Sequence, residues 1–196
     1  EPLGDNVTSY VDDMAVGSES FDSHLNDLEK YLKVIKKAGL TLSLKKAQFV
    51  EKEVKFVGQL IGSGEHRVDP DRIKAMMELR VPKTKKEVRQ ILGFFSFFRD
   101  YIPDLAGVAK PITDLTTKHV PNHVPWGLEQ QKAFEQMKQL LKQATVEPLQ
   151  AIDSKQPFSL FVDASDDSVA GVLTQSDKNG NLRPVAFASS KLTKTQ

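Results

Sequence analysis

The sequence contains no cysteine and no long apolar run, and these two absences exclude several classes of protein. Zero cysteines among 196 residues exclude disulfides and thiolate zinc sites, and they suit an intracellular, cytoplasmic setting. No apolar stretch reaches the ~18 residues of a membrane span, and no basic-then-apolar leader opens the chain. The four histidines have no metal-ligand spacing, which argues against a zinc site. With 39% hydrophobic residues, the chain has material for one or two globular domains.

Basic residues are also missing from the first 29 positions, which carry eight acidic side chains. Residues 30–110 have the opposite balance, with 18 basic and nine acidic side chains, whereas residues 111–196 carry nine of each. An acidic start beside a basic middle suits a protein that binds metal ions with carboxylates and a phosphate backbone with cations. Lysine-rich helices are often simply solvated, so the charge pattern alone does not identify a partner.

Two adjacent aspartates, Asp12 and Asp13, lie between short apolar runs that predict a β-hairpin over residues 7–16. Because neighbouring side chains of a strand point to opposite faces, the pair shares an environment only if the backbone turns there. A turn at Val11-Asp12 would present a carboxylate to a hard divalent cation, and Mg²⁺ held in this way supports two-metal phosphoryl transfer. Taken alone, the pair also fits a polar turn whose aspartates cap backbone N–H groups.

After the hairpin, helical spacing of apolar residues predicts a helix over about residues 21–38 that ends at Gly39. The apolar face comprises Leu25, Leu28, Leu32 and Ile35, and the opposite face carries Lys30, Lys33 and Lys37. Two strands are predicted next, over about 47–50 and 54–61, before the turn signal at residues 62–64.

Two helices are predicted in the basic middle of the chain. Asp69-Pro70 opens one that runs to about residue 79, and Val81-Pro82 interrupts it. A capping box between Thr84 and Glu87 opens the second, which continues to Phe98. Its aromatic residues invite a base-stacking interpretation, but helical aromatics at this density usually build a core, so Phe95 and Phe98 are assigned to packing.

The last third of the chain predicts a helix after Trp126, with an apolar face formed by Ala133, Phe134, Met137, Leu140 and Leu141. Residues 146–156 follow as a connector, and strands are predicted over residues 158–162, 169–173 and 185–188. Asp163 ends the first of these strands. A carboxylate there fits metal-dependent phosphodiester hydrolysis, although an isolated Asp-Ala-Ser also fits a strand-end cap.

Motifs in a fixed order carry a family resemblance over nearly all of the chain. They are Tyr10-Val11-Asp12-Asp13, residues 24–40, residues 42–50, Phe56-Val57-Gly58-Gln59, residues 81–84, Leu92-Gly93, residues 98–103, and finally residues 161–165 with 171–175. Together they resemble the reverse transcriptase and RNase H regions of the Pol polyprotein of gypsy-type LTR retrotransposons. The sequence departs from that pattern at Ala47, where cysteine is common, and at Gln59, where histidine is usual.

The resemblance implies an α+β fold: the C-terminal part of a polymerase palm, a helical thumb, a connection and the first antiparallel strands of an RNase H-like domain. The implied boundaries are 1–69 for the palm with its catalytic and primer-grip-like hairpins, 70–118 for the thumb, 119–156 for the connection and 157–196 for the RNase H-like part.

The implied activity is RNA-directed DNA synthesis by two-metal nucleotidyl transfer, with RNase H, using Mg²⁺ or Mn²⁺, an RNA or DNA template-primer duplex and dNTPs. By resemblance, Asp12 and Asp13 are two of three metal-binding carboxylates, and the third precedes residue 1. Asp163 matches the first of four RNase H acids, and the others follow residue 196. The chain alone is therefore predicted to be inactive.

Nucleic-acid contacts are expected at the two hairpins and at the start of the second thumb helix: Tyr10, Phe56, Val57, Gly58, Gln59, Lys83, Lys85, Lys86 and Arg89. Two alternatives remain. One is a degenerate or domesticated fragment that binds nucleic acid without catalysis, and the other is a structural protein that uses Asp12-Asp13 as a turn. The sequence does not indicate an oligomeric state.

Overall fold

The computed structural model describes residues 6–192, apart from the side chain of Ala75. The chain divides into two compact units, Glu1–Ser63 and Gly64–Gln196, and each is described by itself. Helices and antiparallel strands are mixed along the chain, as expected for the predicted α+β class. Within residues 6–192, no helix has the length and apolar character needed to cross a membrane.

The first unit contains two β-hairpins and one helix: β1 (Val7–Tyr10), β2 (Asp13–Val16), α1 (Phe21–Lys37), β3 (Glu53–Phe56) and β4 (Gln59–Gly62). In the first hairpin, Val7 is opposite Val16 and Tyr10 is opposite Asp13. In the second, Phe56 is opposite Gln59. The predicted hairpin over residues 7–16 is confirmed.

Helix α1 begins and ends as predicted, but its buried face differs from the predicted one. Ser20 and Ser23 form a capping box at the start, and Gly39 follows the helix in a left-handed conformation with φ 70°. The buried residues are Tyr31 and Ile35, whereas Leu25 and Leu32 are 47% and 41% exposed. The prediction is confirmed for Ile35 and wrong for Leu25 and Leu32, because it considered aliphatic residues only, and an aromatic ring with one polar atom buries as well as leucine.

The strand predictions between α1 and residue 62 were partly wrong. Residues 47–50 form no strand, and Val50 has a φ of 58°, which is incompatible with an extended chain. The predicted strand over 54–61 is instead a hairpin whose two turn residues, Val57 and Gly58, have φ values of 48° and 77°. Positive φ at both central positions characterises a type I′ turn, which reverses the chain between β3 and β4.

The second unit contains five helices among the described residues: α2 (Pro70–Met77), α3 (Lys85–Phe97), α4 (Leu105–Val108), α5 (Lys110–Thr113) and α6 (Leu128–Gln143). The predicted starts of α2 and α3 are confirmed. The Asp69 carboxylate accepts from the Asp71 N–H, and Thr84 and Glu87 form the capping box. Two 3-10 turns, Arg99–Tyr101 and Asp114–Thr116, flank the short helices.

One apolar core joins the helices of the predicted thumb to helix α6 of the predicted connection. Phe95 and Phe98 are fully buried, as predicted from their density on α3, and Phe134, Met137 and Leu141 of α6 are buried with them. The Lys138 ammonium donates to the carbonyls of Met77 and Leu79 at 3.3 and 3.2 Å, so α6 also caps the end of α2. These contacts join α2, α3 and α6 in one core.

The strands of the second unit form two groups. Strand β5 (Glu65–Val68) pairs antiparallel with β6 (Leu149–Gln150), which lies inside the predicted connector and was not foreseen. Strands β7 (Ser159–Ala164), β8 (Ser168–Ser176) and β9 (Leu182–Lys191) form an antiparallel sheet in the order 7-8-9, at the places predicted. Strand β9 contacts α4, β6 and the 3-10 turn at Arg99–Tyr101.

Candidate active sites and nucleic-acid interface

The first hairpin reverses direction through a strained two-residue turn. Only Val11 and Asp12 separate Tyr10 from its partner Asp13. Val11 has a φ of 53°, and Asp12 is not among the residues with positive φ, a combination that corresponds to a type II′ turn. Glycine is the usual residue at the first position, so a β-branched side chain there stores strain of about 1–3 kcal/mol.

Both aspartates of the turn face solvent. Asp12 and Asp13 are exposed, and within residues 6–192 neither carboxylate accepts a hydrogen bond or forms an ion pair. They therefore do not cap backbone N–H groups, as an ordinary polar turn would require. Asp12 in the turn and Asp13 at the start of β2 are adjacent in the chain, and their unshared carboxylates offer the oxygen ligands that a hard divalent cation prefers.

Asp27 of α1 attaches the base of this hairpin to the helix. Its Oδ2 accepts from Asn6 Nδ2 at 2.8 Å and from Ser18 Oγ at 2.9 Å, on either side of the two strands. The hydrogen bonds from Asn6 and Ser18 lower the pKa of the Asp27 carboxyl group. Sequence reasoning missed this residue because its partners lie 21 and nine positions away.

The second hairpin presents Phe56, Val57, Gly58 and Gln59 at its turn. Gly62 at its base allows a close approach of two backbones, because a Cβ there would lie 2.1 Å from the Lys52 carbonyl oxygen. Gly62 is opposite Glu53, so glycine at this position lets residues 52–53 run directly against β4.

The predicted basic residues lie at the start of helix α3. Lys83, Lys86 and Arg89 are exposed. Lys85 is half-buried and donates to the Thr117 carbonyl at 2.6 Å, and the Arg89 guanidinium lies 3.5 Å from the Thr116 carbonyl. Two of the four cations therefore also contact the segment that follows α5.

The exposed side of α3 extends beyond these cations. Phe97 is 50% exposed although the aromatic residues around it are buried or half-buried, and Gly93 is exposed with open space where a Cβ would be. Arg89, Gly93 and Phe97 are four residues apart and lie on one helix face. The aromatic density of α3 hid this from sequence reasoning, because Phe97 was considered together with its buried neighbours.

Asp163 lies near the end of β7, opposite Ala170 of β8. It is exposed, and its Oδ1 accepts from the Ala164 N–H at 3.0 Å. Within the described residues no group of three His, Asp or Glu side chains is arranged to hold a metal ion. The structure thus presents Asp12 and Asp13 together in the first unit and Asp163 separately in the second.

Two family profiles match the chain at its two ends. Residues 2–61 match the family described as reverse transcriptase (RNA-dependent DNA polymerase). Residues 126–196 match the RNase H-like domain found in reverse transcriptase. The first match contains the first hairpin, α1 and the second hairpin up to Ile61, and the second match contains α6 and the β7–β9 sheet.

Curated relatives and solved structures agree with these matches. The Pol polyprotein from transposon opus of Drosophila melanogaster is 33% identical over 100% of this chain and 20% of its own length. The Gag-Pol polyprotein of gibbon ape leukemia virus is 36% identical over 95% of the chain and 11% of its own length. The chain therefore spans a fifth or less of these relatives.

Two structures of the foamy viral protease-reverse transcriptase cover 96% of the chain. One, in complex with double-stranded DNA, has a TM-score of 0.85 at 29% identity over 32% of its own chain. The other, in complex with an RNA/DNA hybrid, has a TM-score of 0.81 at 30% identity over 25% of its own chain. Residues 2–61 therefore belong to the reverse transcriptase family and residues 126–196 to the RNase H-like family found in reverse transcriptases, and the chain as a whole is similar to retrotransposon and retroviral Pol polyproteins.

Proposed function

We propose that this chain contributes metal ligands and a duplex-binding surface to RNA-directed DNA synthesis, with Asp12 and Asp13 as the metal-binding residues. The observation that carries the proposal is the strained two-residue turn, which exposes both carboxylates without a protein partner. Strain at a solvent-exposed turn is expected where the turn has a functional task.

The chemistry of this donor set fits Mg²⁺ or Mn²⁺. Both ions prefer oxygen ligands, and two free carboxylates supply them. When bound in pairs, such ions activate the primer 3′-hydroxyl and stabilise the leaving pyrophosphate of a dNTP. Asp12 and Asp13 form an incomplete ligand set, because within residues 6–192 no third acid joins them. The third carboxylate is proposed to precede residue 1.

The second hairpin is proposed to hold the primer strand. Its type I′ turn brings Phe56, Val57, Gly58 and Gln59 to one end, where Gly58 has no side chain to hinder the approach of a phosphate to the backbone. Tyr10, which is 59% exposed and lies opposite Asp13 in the hairpin, is proposed to contact the duplex near the reacting end. Neither role requires base recognition, so we expect little sequence preference.

Helix α3 is proposed to lie along the duplex. Lys83, Lys85, Lys86 and Arg89 supply positive charge at its start, and Gly93 and Phe97 extend the same exposed side. The cations attract the phosphates of both strands, and a flat aromatic ring beside a glycine permits close approach to a groove. The foamy viral complexes with double-stranded DNA and with an RNA/DNA hybrid support duplex binding in this family.

Asp163 is proposed as the first acid of an RNase H site that cleaves the RNA strand with a divalent metal. The supporting observations are its exposed position on β7 and its place inside the RNase H-like match. The proposed domain boundaries are 1–69 for the palm, 70–118 for the thumb, 119–156 for the connection and 157–196 for the RNase H-like part. We place the reaction in the cytoplasm or in a virus-like particle.

Oxidative cleavage with Fe²⁺ tests the metal site directly. Fe²⁺ substitutes for Mg²⁺ at oxygen ligands, and with ascorbate and peroxide it cuts the backbone nearest the bound ion. We expect cuts next to Val11 that excess Mg²⁺ suppresses and that Asp12→Asn and Asp13→Asn each abolish. Asp22→Asn is the matched control, because Asp22 is an exposed aspartate of the same unit. Cleavage at Val11 that persists in the Asp12→Asn protein would contradict the proposal. A protein that binds the duplex but is not cut at Val11 would favour the alternative of a degenerate or domesticated fragment without catalysis.

A further inference from the structure

The 3-10 turn after α5 connects the basic helix α3 to the RNase H-like sheet. We refer to residues 114–117 as the 114–117 turn. On one side, its carbonyls at Thr117 and Thr116 accept from Lys85 at 2.6 Å and from Arg89 at 3.5 Å. Its apolar residue, Leu115, is buried in the core of the second unit. The turn is therefore fixed to α3 by both packing and cationic hydrogen bonds.

On its other side, the turn carries a carboxylate that contacts two lysines. Asp114 Oδ1 accepts a charged hydrogen bond from Lys191, at the end of β9. Asp114 Oδ2 lies 3.7 Å from the Lys110 ammonium, which is also 3.3 Å from Asp167 Oδ1. The hydrogen bond and charge of Asp167 raise the pKa of Lys110, so this lysine stays charged across the physiological range.

Asp167 belongs to the β7–β8 turn, which begins two residues after Asp163. Its carbonyl accepts from the Leu192 N–H at 2.9 Å, so the β7–β8 turn and the end of β9 are bonded to each other as well as to α5. A continuous path thus runs from Lys85 and Arg89 through the 114–117 turn to the end of the strand that bears Asp163.

The opposite end of the same sheet has a separate attachment. Arg183 pairs with Glu65 at 2.9 Å, and the buried Gln175 side chain donates to the carbonyls of Asp153 and Gln156 at 2.8 and 3.0 Å. Near Asp163 the sheet is also held by the start of α4, because the Ser168 hydroxyl donates to Asp104 at 3.1 Å and the Ala106 N–H donates to the Ser189 hydroxyl at 2.9 Å. Loss of the lysine–aspartate contacts would therefore leave the sheet docked and remove only the link from the β7–β8 turn and the end of β9 to the 114–117 turn. Ion pairs of this exposure are weak singly and screened by salt, so their role is to fix geometry rather than to hold the fold together.

We propose that Lys110, Asp114 and Lys191 are positioning residues that fix the Asp163 end of the RNase H-like sheet relative to the duplex-binding helix α3. This inference rests on the proposed function, because it assigns α3 to the duplex and Asp163 to RNA cleavage. Both would act on one duplex, so the distance between α3 and Asp163 would determine which phosphodiester is cleaved. A rigid polar link between them sets that separation.

Distance measurement between two spin labels tests the inference on the chain itself. Since the sequence has no cysteine, Ser96→Cys on α3 and Asp166→Cys in the β7–β8 turn give two unique labelling sites, both exposed. We expect a narrow distance distribution at low salt. In the labelled protein that carries Asp114→Asn the narrow component should be lost, whereas Asp114→Glu should retain it. Salt of about 0.5 M should broaden the distribution of the labelled protein without either substitution, the parent, towards that of Asp114→Asn.

Lys178→Met is the control, because Lys178 is an exposed lysine of the same sheet outside the network. Its distribution should match the parent, and circular dichroism should show the same helix content in every variant. Equal widths in the parent and Asp114→Asn, or a distribution in Asp114→Glu as broad as that in Asp114→Asn, would overturn the inference. The affinity of the same proteins for the duplex is measured in parallel. If the distance distribution responds to Asp114→Asn as expected but the parent protein does not bind the duplex, the proposed function alone is refuted. If the parent protein binds the duplex but the distance distribution does not change in Asp114→Asn, the positioning role alone is refuted.

Discussion

The hydroxyl of Tyr31 lies 2.7 Å from the sulfur of Met14, and this contact joins helix α1 to the hairpin one residue after Asp13. Tyr31 is only 6% exposed, and burial raises the pKa of its hydroxyl, which therefore stays neutral. The position of the exposed carboxylates thus depends on a buried aromatic ring behind them. The contact buries Tyr31 on the face of α1 that also contains Ile35.

The first prediction separates the ring of Tyr31 from its hydroxyl. Tyr31→Phe keeps the packing and should lower the free energy of unfolding by less than about 1 kcal/mol, because a single bond to sulfur contributes little. Tyr31→Ala removes the ring and should cost about 3–5 kcal/mol. Urea unfolding measures both values, and a Tyr31→Phe loss as large as that of Tyr31→Ala would show that the hydrogen bond, not the ring, holds the hairpin.

The second prediction concerns the strain at Val11. Val11→Gly should raise the free energy of unfolding by about 0.5–1 kcal/mol, since relief of the left-handed conformation outweighs the added flexibility of the unfolded chain. Val11 is 85% exposed, so no packing is lost. Val54→Gly in β3 is the control, and it should destabilise because Val54 is half-buried in an extended strand. A destabilised Val11→Gly protein would mean that the turn is not strained.

The third prediction is a pH dependence that arises from His66. Its Nδ1 lies 2.5 Å from the Tyr101 hydroxyl, and burial lowers the pKa of the imidazole. The unfolded chain therefore binds a proton near pH 6.5, where the folded protein does not, so stability falls as the pH drops through this value. The loss of stability continues until the pH reaches the lowered pKa of His66 in the folded protein. The thermal midpoint should fall as the pH is lowered from about 7.5 to 5, and His66→Phe should reduce this fall.

The exposed His119 gives the control for that experiment. His119→Phe should leave the slope unchanged, because an exposed side chain has nearly the same surroundings in the folded and the unfolded chain. An equal slope in the parent and in His66→Phe would assign the pH dependence to other groups.

The fourth prediction concerns the salt dependence of duplex binding. Each phosphate neutralised by the protein contributes about −0.9 to the slope of log K against log salt. Lys83→Glu with Lys86→Glu should therefore flatten the slope by up to about two units and weaken binding on every sequence alike. Fluorescence anisotropy with labelled RNA/DNA hybrid of two unrelated sequences measures both effects.

The structure guides the choice of lysines for this test. Lys85 is left intact because its bond to Thr117 has a structural role, and Lys191 is unsuitable as a control because it pairs with Asp114. Lys155→Glu with Lys178→Glu serves instead, since both lysines are exposed in the neutral part of the chain. An unchanged slope in the variant with both Lys83→Glu and Lys86→Glu would show that these two lysines are solvated and do not contact the duplex.

Features set by neighbouring residues could be predicted from the sequence. The cap at Asp69-Pro70, the capping box of Thr84 and Glu87, and the burial of Phe95 and Phe98 all depend on contacts within one helix or on its periodicity. The exposed Asp12-Asp13 turn also follows locally, because a two-residue loop between short strands leaves no other place for its side chains.

Features set by distant contacts could not be predicted in the same way. The pairing of Glu65 with Gln150 joins residues far apart in sequence, and a two-residue strand is too short to have a pattern that predicts its partner. The face of α1 depended on which side the hairpin occupies, and the turn at Val57 breaks the preference of valine for extended backbone. The link from Asp114 to Lys191 exists only after the sheet docks.

Primer extension measures whether Asp12 is needed for DNA synthesis. Residues 1–196 alone should extend no primer with Mg²⁺, because two carboxylates cannot hold both ions. Fused behind the fingers and upstream palm of a related Pol polyprotein, the chain should support RNA-templated DNA synthesis, and Asp12→Asn should abolish that synthesis at unchanged duplex affinity. Robust synthesis by residues 1–196 alone, or full activity of the fused Asp12→Asn protein, would contradict the account.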